Sequence, residues 1–174
     1  VYKRQEYHVF RLVESKGVWD PSNPFPEFFR PLSSINAMLS VTILPKIFSA
    51  VLDLHGELVF KLLYLFVYSL VPVALYQGYR QRFGNLAAFL SSFYFMILPR
   101  FYLEEKRVII AEFYLALLLL LILKKDTAKR RKGLLMMVLG LSVVVSHYAS
   151  AYLFLFYMTL TLLLVWFDER RSHD

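Results

Sequence analysis

The stretch GLLMMVLGLSVVVSHYASAYLFLFYMTLTLLLVWF, Gly133 to Phe167, contains no Asp, Glu, Lys or Arg. As one helix it would be about 50 Å long, against a hydrocarbon core of about 30 Å. It is too long for one crossing and must turn back. Ser146-His147-Tyr148-Ala149-Ser150 is the only polar interruption near its middle. Two apolar helices are therefore expected, near 133–147 and 150–167, with His147 at the hairpin tip.

Outward from this run, the pattern repeats. Lys124-Lys125-Asp126-Thr127-Ala128-Lys129-Arg130-Arg131-Lys132 precedes it, and Asp168-Glu169-Arg170-Arg171 follows. Before the basic loop lies Val108 to Leu123, unbroken in its hydrophobicity from Leu115 onward. Earlier still, Leu62 to Tyr79 is free of charge and ends at Arg80 and Arg82, and Phe83 to Pro99 is closed by Arg100. Pro72 is expected to kink its helix, which a buried helix can absorb. The fold class expected is all-α: an integral membrane protein with about five transmembrane helices, near 62–79, 83–99, 108–123, 133–147 and 150–167.

Composition agrees. Of 174 residues, 58% are hydrophobic and only 19% charged, with a mean hydropathy of +0.51. Soluble domains hold about a quarter of their residues charged, spread over the surface. Here the charges sit in clusters between long uncharged runs. The formal charge of +7 comes from basic residues flanking apolar segments, not from a free arm or stripe, so nucleic acid is not an expected partner. The absence of cysteine excludes a disulfide framework, a thiolate metal site and a cysteine nucleophile.

The positive-inside rule works as a parity test. With the Lys124–Lys132 loop cytoplasmic, Arg80, Arg82 and the C-terminus fall on the same side. Arg100 to Arg107, Ser146 to Ser150 and residues 6–58 fall outside. The localisation expected is a multi-pass plasma-membrane protein. Ile35 to Leu54 is weakly apolar and broken by Pro45, Lys46 and Asp53. It reads as an interfacial helix, the alternative being a further crossing. Residues 6–58 thus form an outer-face loop and 59–174 the transmembrane domain. Within the loop, Glu6 to Lys16 reads as a short helix, and Trp19 to Glu27 as a proline-rich ordered loop. Val1-Tyr2-Lys3-Arg4-Gln5 is read as a sequencing-adapter scar and set aside, which makes the chain a fragment.

Several ionisable residues are expected to collect at the outer face, among them Glu6, Glu104, Glu105, Lys106, Arg107 and His147. Carboxylates and cations facing a bilayer suit a lipid-linked phosphate: a carboxylate takes a proton from an acceptor, and Arg or Lys stabilises the departing phosphate. The plain alternative for each is a solvated loop charge. Glu112 lies inside a span, where a charge is costly. Seven residues from Glu105, it shares that helical face, and it serves either a structural ion pair or a substrate. His147 either contacts a phosphate or is an interfacial histidine. A divalent metal held by Glu6, Glu104 and Glu105 is compatible with the ligand type. No nucleotide-binding glycine motif, Ser-His-Asp signal or His/Cys metal spacing is present.

Glu6-Tyr7-His8-Val9-Phe10, Trp19-Asp20-Pro21, Asn36-Ala37-Met38-Leu39-Ser40-Val41-Thr42-Ile43-Leu44-Pro45 and Ser146-His147-Tyr148 give the chain a likeness over nearly its whole length. It resembles the GT-C-type membrane glycosyltransferases, which include oligosaccharyltransferases and protein mannosyltransferases, and more narrowly a group of uncharacterised archaeal membrane proteins of that class. The resemblance implies transfer of a sugar from a polyprenyl-phosphate carrier at the outer face. It implies Glu6 in a first acidic motif, Glu104-Glu105 as the counterpart of a second, and an interfacial helix over 35–54. It departs from the family in lacking the first helix and the leading acidic residue, so the isolated fragment is expected to be inactive. Glu104-Glu105-Lys106 also differs from the Asp-containing motif of oligosaccharyltransferases. The rival expectation is a non-enzymatic membrane module, a transporter fragment or an assembly subunit.

Overall fold

A computed structural model describes residues 2–20, 35–97, 105–124 and 128–171. Among them are six helices and no strand: α1 (Tyr2–Lys16), α2 (Leu39–Leu52), α3 (Gly56–Ile97), α4 (Lys106–Leu123), α5 (Lys129–Ser146) and α6 (Tyr148–Arg171). The chain is all-helical. Two helices, Gly56–Ile97 and Tyr148–Asp168, are long and apolar enough to cross a membrane. Helices α4 and α5 are 18 residues each, but α4 opens on Lys106-Arg107 and carries Glu112. Helix α5 opens on Lys129-Arg130-Arg131-Lys132. Those charges shorten their apolar stretches.

Helix α3 is two antiparallel arms. Gly84 sits at φ 82°, ψ 174°, a left-handed backbone that L side chains rarely adopt. There the chain folds back on itself. The Ser92 hydroxyl donates to the Pro72 carbonyl at 3.1 Å, and the rings of Tyr68 and Phe95 lie 5.5 Å apart. In a continuous helix, residues 68 and 95 would be separated by about 40 Å. Helix α3 thus divides into arms 56–83 and 85–97, with a turn within the segment where two apolar helices were expected. Pro72, inside the first arm, is part of the contact between them.

Helix α4 runs parallel to the first arm of α3. Near its start, the Lys106 ammonium lies 5.7 Å from the Tyr64 ring centroid. Near its end, the Arg82 Nε donates to the Leu123 carbonyl at 3.3 Å. Between these, Gly78 lets the two backbones approach: a Cβ there would sit 3.3 Å from Leu120 Cα. The expected break in the 133–167 run falls at His147, extended at φ −157°, ψ 117°, and α5 and α6 form a second hairpin with Gly140 against Phe154.

Chain direction thus alternates through the bundle, which has two distinct ends. Arg82, Lys124 and Lys129 to Lys132 gather at one. The Lys132 ammonium donates to the carbonyls of Ile122 (2.9 Å) and Lys124 (3.0 Å). At the other end lie α1, α2 and the starts of α3, α4 and α6. The larger core is here: Val9 and Phe10 of α1, Met38, Val41 of α2, Phe60 and Tyr64 of α3, Ile109 and Ile110 of α4. Phe60 stacks on Phe10 at 5.6 Å and meets Tyr64 edge-on at 5.1 Å. The remaining apolar residues face outward in number, including Leu153, Phe156, Leu162, Leu164 and Phe167 of α6. A soluble monomer rarely exposes so continuous an apolar patch.

Helix α1 starts at Tyr2, four residues before the expected start, and contains Lys3 to Gln5. Helix α2 covers 39–52 of the expected 35–54 and keeps Pro45 inside, buried. The proline-rich stretch beyond Asp20 lies outside the described residues.

Candidate functional site

At the end where α1 crosses the bundle, the first turn of α4 has free backbone donors, as every helix start does. Its N-cap residue, Glu105, makes no side-chain cap bond. The cap comes instead from Glu6, a hundred residues earlier in the chain. Its carboxylate accepts the Lys106 N–H at 2.9 Å and the Arg107 N–H at 3.4 Å. It also lies 3.7 Å from the Arg107 Nε. Arg107 in turn pairs with Glu105. Glu6 is fully buried and Arg107 nearly so, at 7% exposure. A positive helix terminus and a guanidinium make this a fitting place for a carboxylate. Burial nevertheless outweighs them and raises the Glu6 pKa above 4.5, with the Glu105 charge adding to the rise; the Lys106 and Arg107 amides and the Arg107 cation pull the other way.

A second layer adjoins this pair. The buried Tyr64 hydroxyl donates to the Ser40 carbonyl at 2.7 Å. The Ser40 hydroxyl donates to the Ser146 carbonyl at 3.0 Å. That bond ties α2 to the end of α5, beside His147. The Arg107 cation and the Glu105 carboxylate are both close enough to act on the His147 ring electrostatically. His147 Nδ1 faces the Ser150 hydroxyl at 2.9 Å and accepts the Ser150 N–H at 3.4 Å. In this position it caps the start of α6.

Next to Ser40 and Ser146 opens an apolar groove of about 430 Å³, walled by Ile43 and Leu44 of α2, Ile110 and Tyr114 of α4, and Leu141 and Val145 of α5. Of its lining residues, Ser146 is next in the chain to His147 and Ile110 lies one helical turn from Arg107.

Of the residues expected at the site, Glu6, Glu105, Lys106, Arg107 and His147 are brought together. Glu104 lies outside the described residues. Glu112 is set apart: it lines a separate apolar cavity of about 250 Å³ with Val71, Leu75 and Phe95, between α4 and the α3 hairpin. The expected shared face with Glu105 does not place the two in one cavity, because Glu105 precedes the helix in extended conformation and turns its carboxylate to Arg107. Among the described residues, no three His, Asp or Glu side chains are grouped to hold a metal ion. Tyr64, Ser40 and Ser146 were not among the residues expected at the site. A tyrosine in an apolar helix reads as core, and only its burial with a hydrogen-bonded hydroxyl reveals a polar function.

The structure also joins Trp19 and Asp20 to the segment that precedes α2. The Trp19 indole N–H donates to the Asn36 carbonyl at 2.9 Å, and the Asn36 amide donates to the Asp20 carbonyl at 2.7 Å. Comparison of the chain with protein-family models, with curated proteins and with solved structures found no match.

Proposed function

We propose that the chain is the multi-pass membrane domain of a GT-C-like transferase, which moves a sugar from a polyprenyl-phosphate carrier to an acceptor at the outer membrane face. About five crossings carry it: the two arms of α3, then α4, α5 and α6. The Arg82 and Lys124–Lys132 end lies in the cytoplasm, as the positive-inside rule requires. The observation that supports this reading best is the apolar groove beside Ser40 and Ser146, whose walls include Ser146, next in the chain to His147, and Ile110, one helical turn from Arg107. A polyprenyl chain suits the groove, and a phosphate suits the Lys106 and Arg107 end.

The roles divide by accessibility. Glu105 is partly exposed and serves as the general base toward the acceptor, a function that requires contact with substrate. Lys106, partly exposed, stabilises the departing phosphate, and Arg107, buried and paired with Glu105, adds its positive charge to that end. Glu6, buried and already engaged by two amides, positions the first turn of α4 instead of meeting substrate. His147 holds the α5–α6 turn against this cluster.

A test expresses the product of the full-length gene in membranes and supplies labelled polyprenyl-phosphate sugar. Glu105→Gln should slow transfer by about 10²-fold or more, the range of a lost general base. Transfer at the wild-type rate in both Glu105→Gln and Arg107→Gln would remove this site from consideration. One observation favours the rival class. Glu112 in its apolar cavity resembles the midplane ionisable groups of transporters. Solute flux through the reconstituted protein that Glu112→Gln abolishes, with no sugar transfer, would establish that reading instead.

A further inference from the structure

We propose that the basic end of the bundle binds an anionic phospholipid, with one acyl chain in the slot between α4 and α6 and the phosphate against Lys124 and the Lys129–Arg131 start of α5. The proposal rests on the membrane reading above but not on sugar transfer. Its first support is the slot itself, about 210 Å³, lined by Leu118, Leu119 and Ile122 of α4 and by Phe154, Tyr157 and Thr161 of α6. The slot is wholly apolar apart from the Tyr157 and Thr161 hydroxyls, and the latter is turned back on its own helix, donating to the Tyr157 carbonyl at 2.8 Å.

Charge complementarity names the occupant. The slot ends at Ile122, and the Ile122 carbonyl receives the Lys132 ammonium. The Lys132 ammonium therefore lies at the Ile122 end of the slot, with Lys124, whose carbonyl it also engages, beside it. Lys132 and Arg82 are committed to the last carbonyls of α4. Lys124, Lys129, Arg130 and Arg131 are exposed beside them. An apolar slot capped by exposed cations matches an acyl chain joined to a phosphate. A soluble anion would not use the slot, and a neutral lipid would not use the cations. Each basic residue close to an anionic membrane surface favours it about fivefold.

Trp166 on α6 is a reporter at this end. The chain has two tryptophans, so Trp19→Phe leaves Trp166 alone. The full chain is placed in phosphatidylcholine bilayers that contain brominated phosphatidylglycerol or, at the same mole fraction, brominated phosphatidylcholine. Trp166 quenching should show an association about fivefold stronger for the anionic lipid, falling toward equality as salt rises. The preference should vanish in Lys124→Gln/Lys129→Gln/Arg130→Gln/Arg131→Gln, which alters exposed side chains alone. It should also vanish in Thr161→Phe, which fills the slot without changing charge. Equal quenching by the two lipids in the parent, or an unchanged preference in either variant, overturns the proposal. So does abolition of the preference by millimolar inorganic phosphate, which would assign the cations to a soluble anion. Absence of quenching by either lipid would instead refute the membrane reading on which the proposal stands.

Discussion

Removing the Glu6 side chain should loosen α1 and α4 together, because one carboxylate caps α4 from outside its own helix. In Glu6→Ala, the Lys106 and Arg107 amides lose their acceptors at 2.9 and 3.4 Å. Loss of a helix N-cap costs about 1 kcal/mol, and a buried donor left unpaired costs about 1–3 kcal/mol. Arg107 keeps Glu105, so no cation is stranded. The longer second bond contributes little, and a total near 3 kcal/mol follows. Glu6→Gln keeps one oxygen acceptor and should lose about 1 kcal/mol. The pH dependence separates the two roles of the carboxylate. Burial raises its pKa in the folded protein above 4.5, so the folded state holds the proton more tightly than the unfolded one. That contribution to stability is complete below 4.5 and is lost as pH rises through the raised folded value. Glu6→Gln should remove this fall, while Glu6→Ala lowers stability across the range. Unfolding in detergent micelles, followed by helix signal as a function of pH, measures both, and hydrogen exchange at the Lys106 and Arg107 amides reports the cap directly. Stability within 0.5 kcal/mol of wild type and unchanged protection of those two amides in Glu6→Ala would refute the capping argument.

Tyr64→Phe deletes the hydroxyl bonded to the Ser40 carbonyl and should cost about 1–2 kcal/mol in the same unfolding assay, with the Phe60 ring contact retained. Gly78→Leu forces a side chain against the Leu120 backbone and should cost about 2–3 kcal/mol, measurable as a lower unfolding midpoint, whereas the exposed Gly133→Ala should not destabilise. In this otherwise cysteine-free chain, Tyr148→Cys should be labelled by an impermeant thiol reagent outside intact cells and Ala128→Cys should not. Labelling of Ala128→Cys alone would invert the proposed orientation.

The hairpins were legible because length and charge decide them. The run 133–167 exceeds one crossing, and its polar break became the His147 turn. Arg80 and Arg82 announced the turn of α3, although the backbone inverts at Gly84, which hydropathy alone does not distinguish from its neighbours. The extent of α2 was less legible, since Pro45 argues against a helix and is tolerated only by tertiary packing. The site was legible in its parts but not in its assembly. Glu105, Lys106 and Arg107 were visible as a charged helix start, and Glu6 as a carboxylate in the outer loop. That Glu6 supplies the missing cap depends on where α1 packs, and its neighbours Phe10 and Val9 decide that through Phe60 and Ile109. No periodicity encodes such a contact. Tyr64 and Ser40 lay hidden for the same reason.

The two ends of the bundle differ in charge for a reason beyond membrane orientation. The first arm of α3, then α4 and α6, run toward the basic end, so three helix C-termini and two N-termini collect there and three N-termini and two C-termini at the other. C-terminal carbonyls attract cations and N-terminal amides attract carboxylates, each worth about 0.3–1 kcal/mol. Arg82 and Lys132 bond the last carbonyls of α4, Arg170 and Arg171 close α6, and Glu6 takes the amides that open α4. The positive-inside pattern and the helix dipoles therefore select the same residue types at the same ends. They part at Lys129 to Arg131, which begin α5 and stand at a helix N-terminus, where the dipole opposes them. Helix capping does not account for that triplet. The proposed orientation in an anionic membrane would, with one lysine or arginine near its surface contributing about 1 kcal/mol, more than the dipole withholds. Replacing Lys129, Arg130 and Arg131 by Gln should therefore leave helix stability unchanged or slightly raised in micelles while weakening the fixed orientation in cells, and a clear loss of micelle stability would mean that the triplet serves the fold instead.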